Sequence, residues 1–467
     1  MRQTKLIRNA KAIISCDEAD KVYYDADILI EGSAIKEIGY NLVAEDADVI
    51  DGRDKFVYPG LINTHHHFFQ SFVRNLSHFG LRDHTMTSWI SGIYEIFQVI
   101  DLDILYYASL VAMADLIKHG CTTAFDHQYL YTTASGKETI DRQFEAADLL
   151  GIRYVAGRGT NTLPMSEGSI VPDPMVETTE EYIRDCERLL DLYHDDSPFS
   201  MRQIVLAPCQ PINCYPETFT ETVALARDRG VRMHTHLGEG ENELMLARYG
   251  KRSVAWCEGV GFIGPDVWYA HQVELLPEEY DVLGQVNAGI SHCSAAAILA
   301  GWPILDLPAL EDAGVVVSLG CDGSASNDGS SLLDTMRLAY GLQSYHRRSL
   351  RRPVFAYDIL KMATVNGART LGRDDLGSLT VGKAADLFMV DTGTLELCGA
   401  LHDPKNLLPL TGTTGPVWLT MCNGQVIFEN GTLTGVDERQ LAKEGEAISD
   451  SRLRSRFEAY RLSHNDV

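Results

Sequence analysis

Short stretches that alternate apolar and polar residues open the chain: KAIISCD, DILIEGSAIKEIG and ADVIDGRDKFVYPG, each closed by turn-forming residues. A period of two marks a strand with one buried face, so this region predicts a small sheet. The same texture returns near the other end in ADLFMVD and PVWLTMCNGQVIFENGTL, where Asn423-Gly424 is placed as a tight hairpin turn. Between them, from about residue 60 to about 370, apolar runs such as VRMHTHLGE, DVWYAHQV, GISHCS and GVVVSLGCDGS alternate with helical patterns such as KETIDRQFEAADLLGI and PETFTETVALARDRG. Alternating strands and helices predict a parallel sheet covered by helices. Over a segment of this length the expected α/β architecture is a (β/α)8 TIM-like barrel. A doubly wound open sheet is the alternative. The barrel is favoured because polar residues stand at the C-terminal ends of strands far apart in sequence, and in a barrel those ends converge on one face.

Composition narrows the partners. At 467 residues and 45% hydrophobic content, the chain can build one large domain plus a smaller one, or two or three ordinary ones. Lys and Arg total 40 against 65 Asp and Glu, a formal charge of -25. Such a surface repels phosphate backbones and anionic lipid, which argues against nucleic acid and membranes and suits a small neutral or cationic molecule. The N-terminal stretch alternates instead of presenting an apolar signal block, and no apolar run reaches about 18 residues, so the expectation is a cytoplasmic protein. Ten cysteines without paired spacing fit reduced, mostly buried thiols.

The candidate chemistry starts at PGLINTHHHFFQSFVRN. Side chains two apart on a strand share a face, so His65 and His67 can share one metal while His66 faces away. In HTHLGE, His236 ends an apolar strand and Glu239 follows three places later; His271 in VWYAHQVEL and Asp322 in GCDGSASND close two further strand-like segments. A single histidine at a strand end is ordinarily a hydrogen-bonded structural residue. Four such ends in one barrel-like segment reverse that reading.

These motifs, together with SHC at the seventh strand and NGARTLGRDDLGSLTVGKAADLFMVD after the eighth, resemble the amidohydrolase superfamily over nearly the whole chain. Within it they are similar to the aminohydrolases that deaminate purines, pterins and s-triazines. The resemblance implies a small β-sandwich domain built from both chain ends, residues 1–57 plus 375–440, around a barrel at 58–374, with a helical tail at 441–467. It implies one divalent metal ion, zinc or iron, held by His65, His67, His236 and Asp322. Those residue types suit zinc and do not separate it from iron. A bound ion of this kind lowers the pKa of water to about 7. Asp322 would accept the water's proton, His271 would orient it, and Glu239 would protonate a ring nitrogen beside the attacked carbon.

The triple histidine followed by Phe68-Phe69-Gln70 is similar to the subgroup acting on oxidised purines, pterins and hydroxylated alkylamino-triazines. That likeness implies Gln70 as a substrate contact, with a surface or capping glutamine as the alternative, and it places His127 of TTAFDHQYLY near the ring, with a structural role equally open. The chain departs from the subgroup at SHCSAAAILAGWPI, where Ala295, Ala296 and Ala297 replace residues able to hydrogen-bond. This change favours an alkylated triazine or an unfamiliar ring over a purine. His292 is read as lying behind the ligands.

Several patterns carry less. GVGFIG lacks the strand-then-helix setting of a dinucleotide fingerprint and reads as a loop. PCQPINC is too widely spaced for the cytidine-deaminase zinc motif. LPMSEGSIVPDPMVETTEE reads as an exposed connection, with a loop over the barrel mouth as the alternative, and the charged tail as a solvated helix packed, if anywhere, on a partner subunit. The expected function is hydrolytic deamination of a small heterocyclic substrate by a homo-oligomer, a dimer or larger. Rivals are an alkylamine or chloride leaving group, a two-metal cyclic-amide hydrolase, and an inactive scaffold. No lysine stands at a middle strand end as the two-metal enzymes need, and the scaffold predicts missing ligands where every position is filled.

Overall fold

The computed structural model describes residues 4–75, 86–349 and 352–464. Five strands come first: β1 (Thr4–Ile14), β2 (Val22–Glu31), β3 (Ala34–Gly39), β4 (Asp48–Asp51) and β5 (Lys55–Pro59). Eight parallel strands follow: β6 (Leu61–Asn63), β7 (Cys121–Gln128), β8 (Arg153–Thr160), β9 (Arg202–Pro208), β10 (Met233–Leu237), β11 (Val267–His271), β12 (Gly289–His292) and β13 (Val316–Leu319), in sequential spatial order. Four more, β14 (Leu387–Asp391), β15 (Leu419–Cys422), β16 (Gln425–Glu429) and β17 (Thr432–Leu433), complete the set.

The eight-stranded sheet closes on itself. Just beyond β6, Thr64 N donates to Leu319 O at the end of β13, and Asp322 N donates to His65 O, both at 3.1 Å. The barrel expected from the alternation is therefore present, and the open doubly wound sheet is not. Inside it, the Thr64 hydroxyl lies 2.7 Å from Ser291 Oγ and 2.9 Å from Ser318 Oγ, so buried hydroxyls satisfy one another where the strands meet.

The chain ends pair through β5 and β14, which run antiparallel from Leu387 opposite Pro59 to Asp391 opposite Lys55. They make one mixed sheet of nine strands, with β1 to β5 joined to β14 to β17. One face packs Ile7, Ile13, Ile28, Val57, Leu387, Met389 and Leu419 into a core separate from the barrel's. Asn423 and Gly424 both have positive φ, 51° and 76°, as the hairpin turn between β15 and β16 requires. Gly60 carries the chain from this sheet into β6 at a place where a Cβ would stand 2.1 Å from Thr122 Oγ1.

A buried ion pair joins the two layers. Arg153 at the start of β8 is fully buried and pairs with Asp386, whose other oxygen accepts Asn423 N at 2.7 Å; Arg153 Nε donates to Ser200 O at 2.9 Å.

The tail is helical and largely solvent-exposed, as expected, and one edge of it packs on this chain's own barrel: the helices are Glu438–Arg452 and Arg454–His464. Tyr107 Oη, from the helix Leu102–Lys118, donates to Glu444 Oε2 at 2.8 Å, Lys118 pairs with Glu438, and Leu453 is fully buried. The contacts rest on a thin stripe of Leu441, Ile448, Leu453 and Phe457, which the surrounding charges mask in the sequence.

Replacing one partner of a buried pair strands the other charge, which costs about 3–5 kcal/mol. Arg153→Met is expected to lower the denaturant midpoint by a corresponding amount. An unchanged midpoint would show that the Arg153–Asp386 joint does not hold the layers together.

Candidate metal and proton-transfer centre

Four strand ends supply the centre. His65 and His67 follow β6 and point inward, while His66 points away and places Nε2 2.9 Å from Ser330 Oγ. His236 is the penultimate residue of β10, His271 ends β11, and Asp322 follows β13. His65 Nε2 and His67 Nε2 each lie 3.4 Å from Asp322 Oδ1, and His67 Nε2 lies 3.0 Å from His236 Nε2. The candidate ligand atoms of His65, His67 and His236 all fall within 4.8 Å of one another, as do those of His65, His271 and Asp322.

The protonation of these rings follows from their outer contacts. His67 Nδ1 faces the His127 carbonyl at 2.9 Å and His236 Nδ1 faces the Cys209 carbonyl at 2.8 Å. A carbonyl only accepts, so both rings carry their proton on Nδ1 and turn a lone pair inward at Nε2. Burial keeps the rings neutral: it lowers His65 to about 3 and His271 to about 4, and lowers His67 and His236 as well. His65 Nε2 has no hydrogen-bond partner among the described residues. Lone pairs that converge with a carboxylate and share no proton repel one another, and a cation satisfies them all. Imidazole nitrogens with one carboxylate oxygen are a donor set that zinc or iron accepts, so the residues fit the expected ion.

Backbone strain aims two of these groups. His271 and Asp322 adopt φ of 72° and 64°, a region that non-glycine residues occupy at a cost of about 1–3 kcal/mol. Asp322 is held by Gly323 N on Oδ1 at 2.7 Å and Ser326 Oγ on Oδ2 at 3.0 Å. Burial opposes its ionisation, while the hydrogen bonds donated by Gly323 N and Ser326 Oγ favour the carboxylate form, and its pKa lies below the ordinary value.

Glu239 behaves oppositely. Burial, reinforced by Glu241, Asp322 and Glu274, pushes its carboxyl well above the ordinary value, which favours the protonated form. Gln210 Nε2 donates to its Oε1 at 2.5 Å, and its Oε2 lies 3.3 Å from His271 Nε2. The loop is fastened by Glu241, which accepts Gly238 N at 2.7 Å and Glu239 N at 2.8 Å.

These groups face a cleft of about 680 Å³, open mouth included. Gln70, Gln210 and Asn213 contribute amides; Ile90, Tyr94, Tyr129, Ile170, Ala296, Leu299, Ala300 and Trp302 contribute apolar and aromatic surface. No Lys or Arg stands among the described lining residues.

Gln70 is buried, so it is not a surface glutamine, and its Oε1 accepts Ala325 N at 3.2 Å in the first turn of the helix Ser324–Asn327, the capping contact that stood as an alternative, while the side chain also lines the cleft. His127 does not line the cleft; it lies behind His236, with ring centroids 4.7 Å apart, and its Nε2 donates to Ala207 O at 2.7 Å. It takes the structural role rather than contacting the space where a substrate would sit, because its strand faces it into the barrel. Ile170 places the long loop after residue 162 over the mouth, and Ala296 lies on the cleft wall. His234, Gln210, Asn213, Tyr94 and Trp302 escaped the sequence reading. Strand alternation from His236 could have flagged His234, and Gln210 follows a strand end; Tyr94 has no local signal.

A model described as the amidohydrolase family matches residues 56–427. The chain is 46% identical over 456 residues to hydroxydechloroatrazine ethylaminohydrolase of Pseudomonas sp. (strain ADP), covering 95% of each protein. It is 35% identical over 410 residues to 8-oxoguanine deaminase of Pseudomonas aeruginosa, covering 86% of this chain and 89% of that one. The solved structure of atrazine chlorohydrolase from Arthrobacter aurescens TC1 complexed with zinc matches with a TM-score of 0.90 and 32% identity, over 95% of this chain and 99% of that chain.

A ligand that binds only the folded state stabilises it by about 4 kcal/mol at a thousand times its dissociation constant. Zinc added to metal-stripped protein is expected to raise the unfolding temperature, and His236→Ala to abolish that rise. A rise that survives in His236→Ala would place the ion elsewhere.

Proposed function

This chain belongs to the amidohydrolase family, and from that premise we propose that it is a metal-dependent hydrolase that removes an amine from an aromatic nitrogen heterocycle. The observation that carries the reading is the pair of carboxyls on one cleft, Asp322 held ionised and Glu239 held protonated, with His271 beside both. Acid and base work at two positions needs two groups with opposite protonation at one pH.

His65, His67, His236 and Asp322 would hold the ion. When bound, it makes water a nucleophile at neutral pH by lowering its pKa to about 7. Asp322 accepts the proton that the attacking water loses. Glu239 gives its proton to a ring nitrogen next to the attacked carbon, so that carbon becomes tetrahedral without charge building on the ring. The proton taken by Asp322 then passes to the leaving nitrogen, which departs as neutral amine while the new hydroxyl becomes the carbonyl and its proton restores the acid form of Glu239. His271, bounded by Glu239 on one side and Asp322 on the other, keeps the two proton carriers apart and orients the water. The amides of Gln70 and Asn213 would contact the heterocycle, and the absence of Lys and Arg among the described lining residues suits an uncharged ring.

A second reading makes the leaving group an alkylamine. Trp302 stands edge-on to His271 with centroids 5.1 Å apart, and Ala296, Leu299 and Ala300 extend its apolar wall. An N-alkyl substituent suits that wall, and the 46% identical relative is named an ethylaminohydrolase. The cytoplasmic setting and the homo-oligomer expected from the sequence belong to this proposal; a purely monomeric protein in light scattering would remove the latter.

The test is release of ammonia, alkylamine or chloride by zinc-loaded protein from 8-oxoguanine, isoxanthopterin, guanine, cytosine and s-triazines, hydroxylated, chlorinated and N-ethylated. Silence on every ring would overturn the proposal. Glu239→Gln is expected to keep its zinc and lose turnover by about 10²–10⁴-fold. Because Glu239 acts as an acid with a raised pKa, the rate should be full below that pKa and fall as pH rises through it. A basic limb unchanged in Glu239→Gln would assign the acid to another residue.

A further inference from the structure

We infer that His234 is a positioning residue that forces His65 to present a lone pair, and not a proton, to the metal centre; this deepens the metal reading above and rests on it. His234 lies two residues before His236 on β10, on the same inward face, and is fully buried. Its Nδ1 is 2.9 Å from the Trp268 carbonyl and its Nε2 is 2.9 Å from His65 Nδ1.

The inference follows from what each atom can do. The Trp268 carbonyl only accepts, so Nδ1 of His234 carries that ring's proton and Nε2 carries a lone pair. His65 Nδ1 must then donate. A neutral His65 that donates at Nδ1 has its lone pair at Nε2, the atom 3.4 Å from Asp322 Oδ1 that finds no hydrogen-bond partner among the described residues. The other tautomer of His65 would set two lone pairs against each other at 2.9 Å and turn an N–H toward the site.

The geometry leaves His234 little freedom to give this up. Its ring is tilted on Trp268 with centroids 4.7 Å apart at 32°, and Phe125 meets its edge at 4.9 Å and 76°. His67 and His236 receive the same tautomeric instruction from backbone carbonyls, which no substitution removes. Of the three imidazoles, His65 alone receives it from a side chain. That side chain must accept at one end and donate at the other; glutamine can reproduce both contacts, with its oxygen toward His65 and its amide toward Trp268 O, while phenylalanine fills the space and offers neither.

The experiment measures zinc affinity by competition with a chelator in the full-length protein, alongside the unfolding temperature. Loss of an outer partner of a metal-binding histidine costs about 10–100-fold in affinity. His234→Phe is expected to lose that factor, and His234→Gln to recover most of it. Equal affinity in His234→Phe and the unsubstituted protein, or equal weakness in the Phe and Gln variants, would overturn the inference. Absence of zinc binding by the unsubstituted protein would overturn the metal reading itself. Should His234→Phe fail to fold, long-range proton–nitrogen spectra of the metal-free, histidine-labelled protein decide directly, with His65 assigned through His65→Asn. A proton on Nδ1 of His65 supports the inference, and a proton on Nε2 overturns it.

Discussion

Everything at the catalytic face depends on the seam that closes the barrel. The bonds from Thr64 N to Leu319 O and from Asp322 N to His65 O tie the first barrel strand to the last, and they put the backbone of one candidate ligand directly on that of another. The stitching continues outward: His66 Nε2 to Ser330 Oγ at 2.9 Å, Ser71 Oγ to Ser324 Oγ at 3.3 Å, and Ala325 N to Gln70 Oε1 at 3.2 Å. The loop bearing His65, His67 and Gln70 and the loop bearing Asp322 therefore behave as one body. A metal site needs its donors held to within about half an ångström, and a seam of backbone hydrogen bonds supplies that rigidity without a tight cluster of salt bridges.

Burial then sets the charge of each group at this seam. It strips protons from the histidines, which leaves them as ligands, and it keeps a proton on Glu239, which leaves it as an acid. The same burial opposes ionisation of Asp322, whose carboxylate is favoured instead by the N–H of Gly323 and the hydroxyl of Ser326. Two carboxyls facing one cleft are thus shifted in opposite directions, and the difference lies in their neighbours: further acidic residues around Glu239, hydrogen-bond donors on Asp322.

The sequence carried much of this and left out what depends on distant strands. Alternation separated His65 and His67 from His66, and the recurrence of strand and helix implied the barrel, because both are local periodicities. The nature of the seam was not legible, since it joins residues at opposite ends of the barrel. Nor was the place of His127: strand phase puts it inside the barrel, but only packing against His236 and Ala207 shows that it lies behind the ligands. The tail was legible as a solvated helix, but its packing on the barrel was not, because charge dominates its composition while four spaced apolar residues decide where it packs. His234 was within reach of the same alternation argument that identified His65 and His67.

The composition of the cleft bears on how selectivity would arise in the proposed reaction. An apolar wall distinguishes substrates weakly, because one methylene more or less is worth about 1–3 kcal/mol. Ala296, Leu299, Ala300 and Trp302 can admit an alkyl group of one length or the next with little penalty. Buried amides discriminate far more strongly, since a substrate lacking the matching atom leaves a donor or acceptor unpaired. Gln70 has its oxygen committed to Ala325 N, and Gln210 has its amide committed to Glu239, so each has one end left for a ring. With Ala296 on that wall, the proposed reaction makes little demand on the substituent and leaves the choice of ring to the amides. Tolerance at the leaving group and strictness at the ring are the expected consequence.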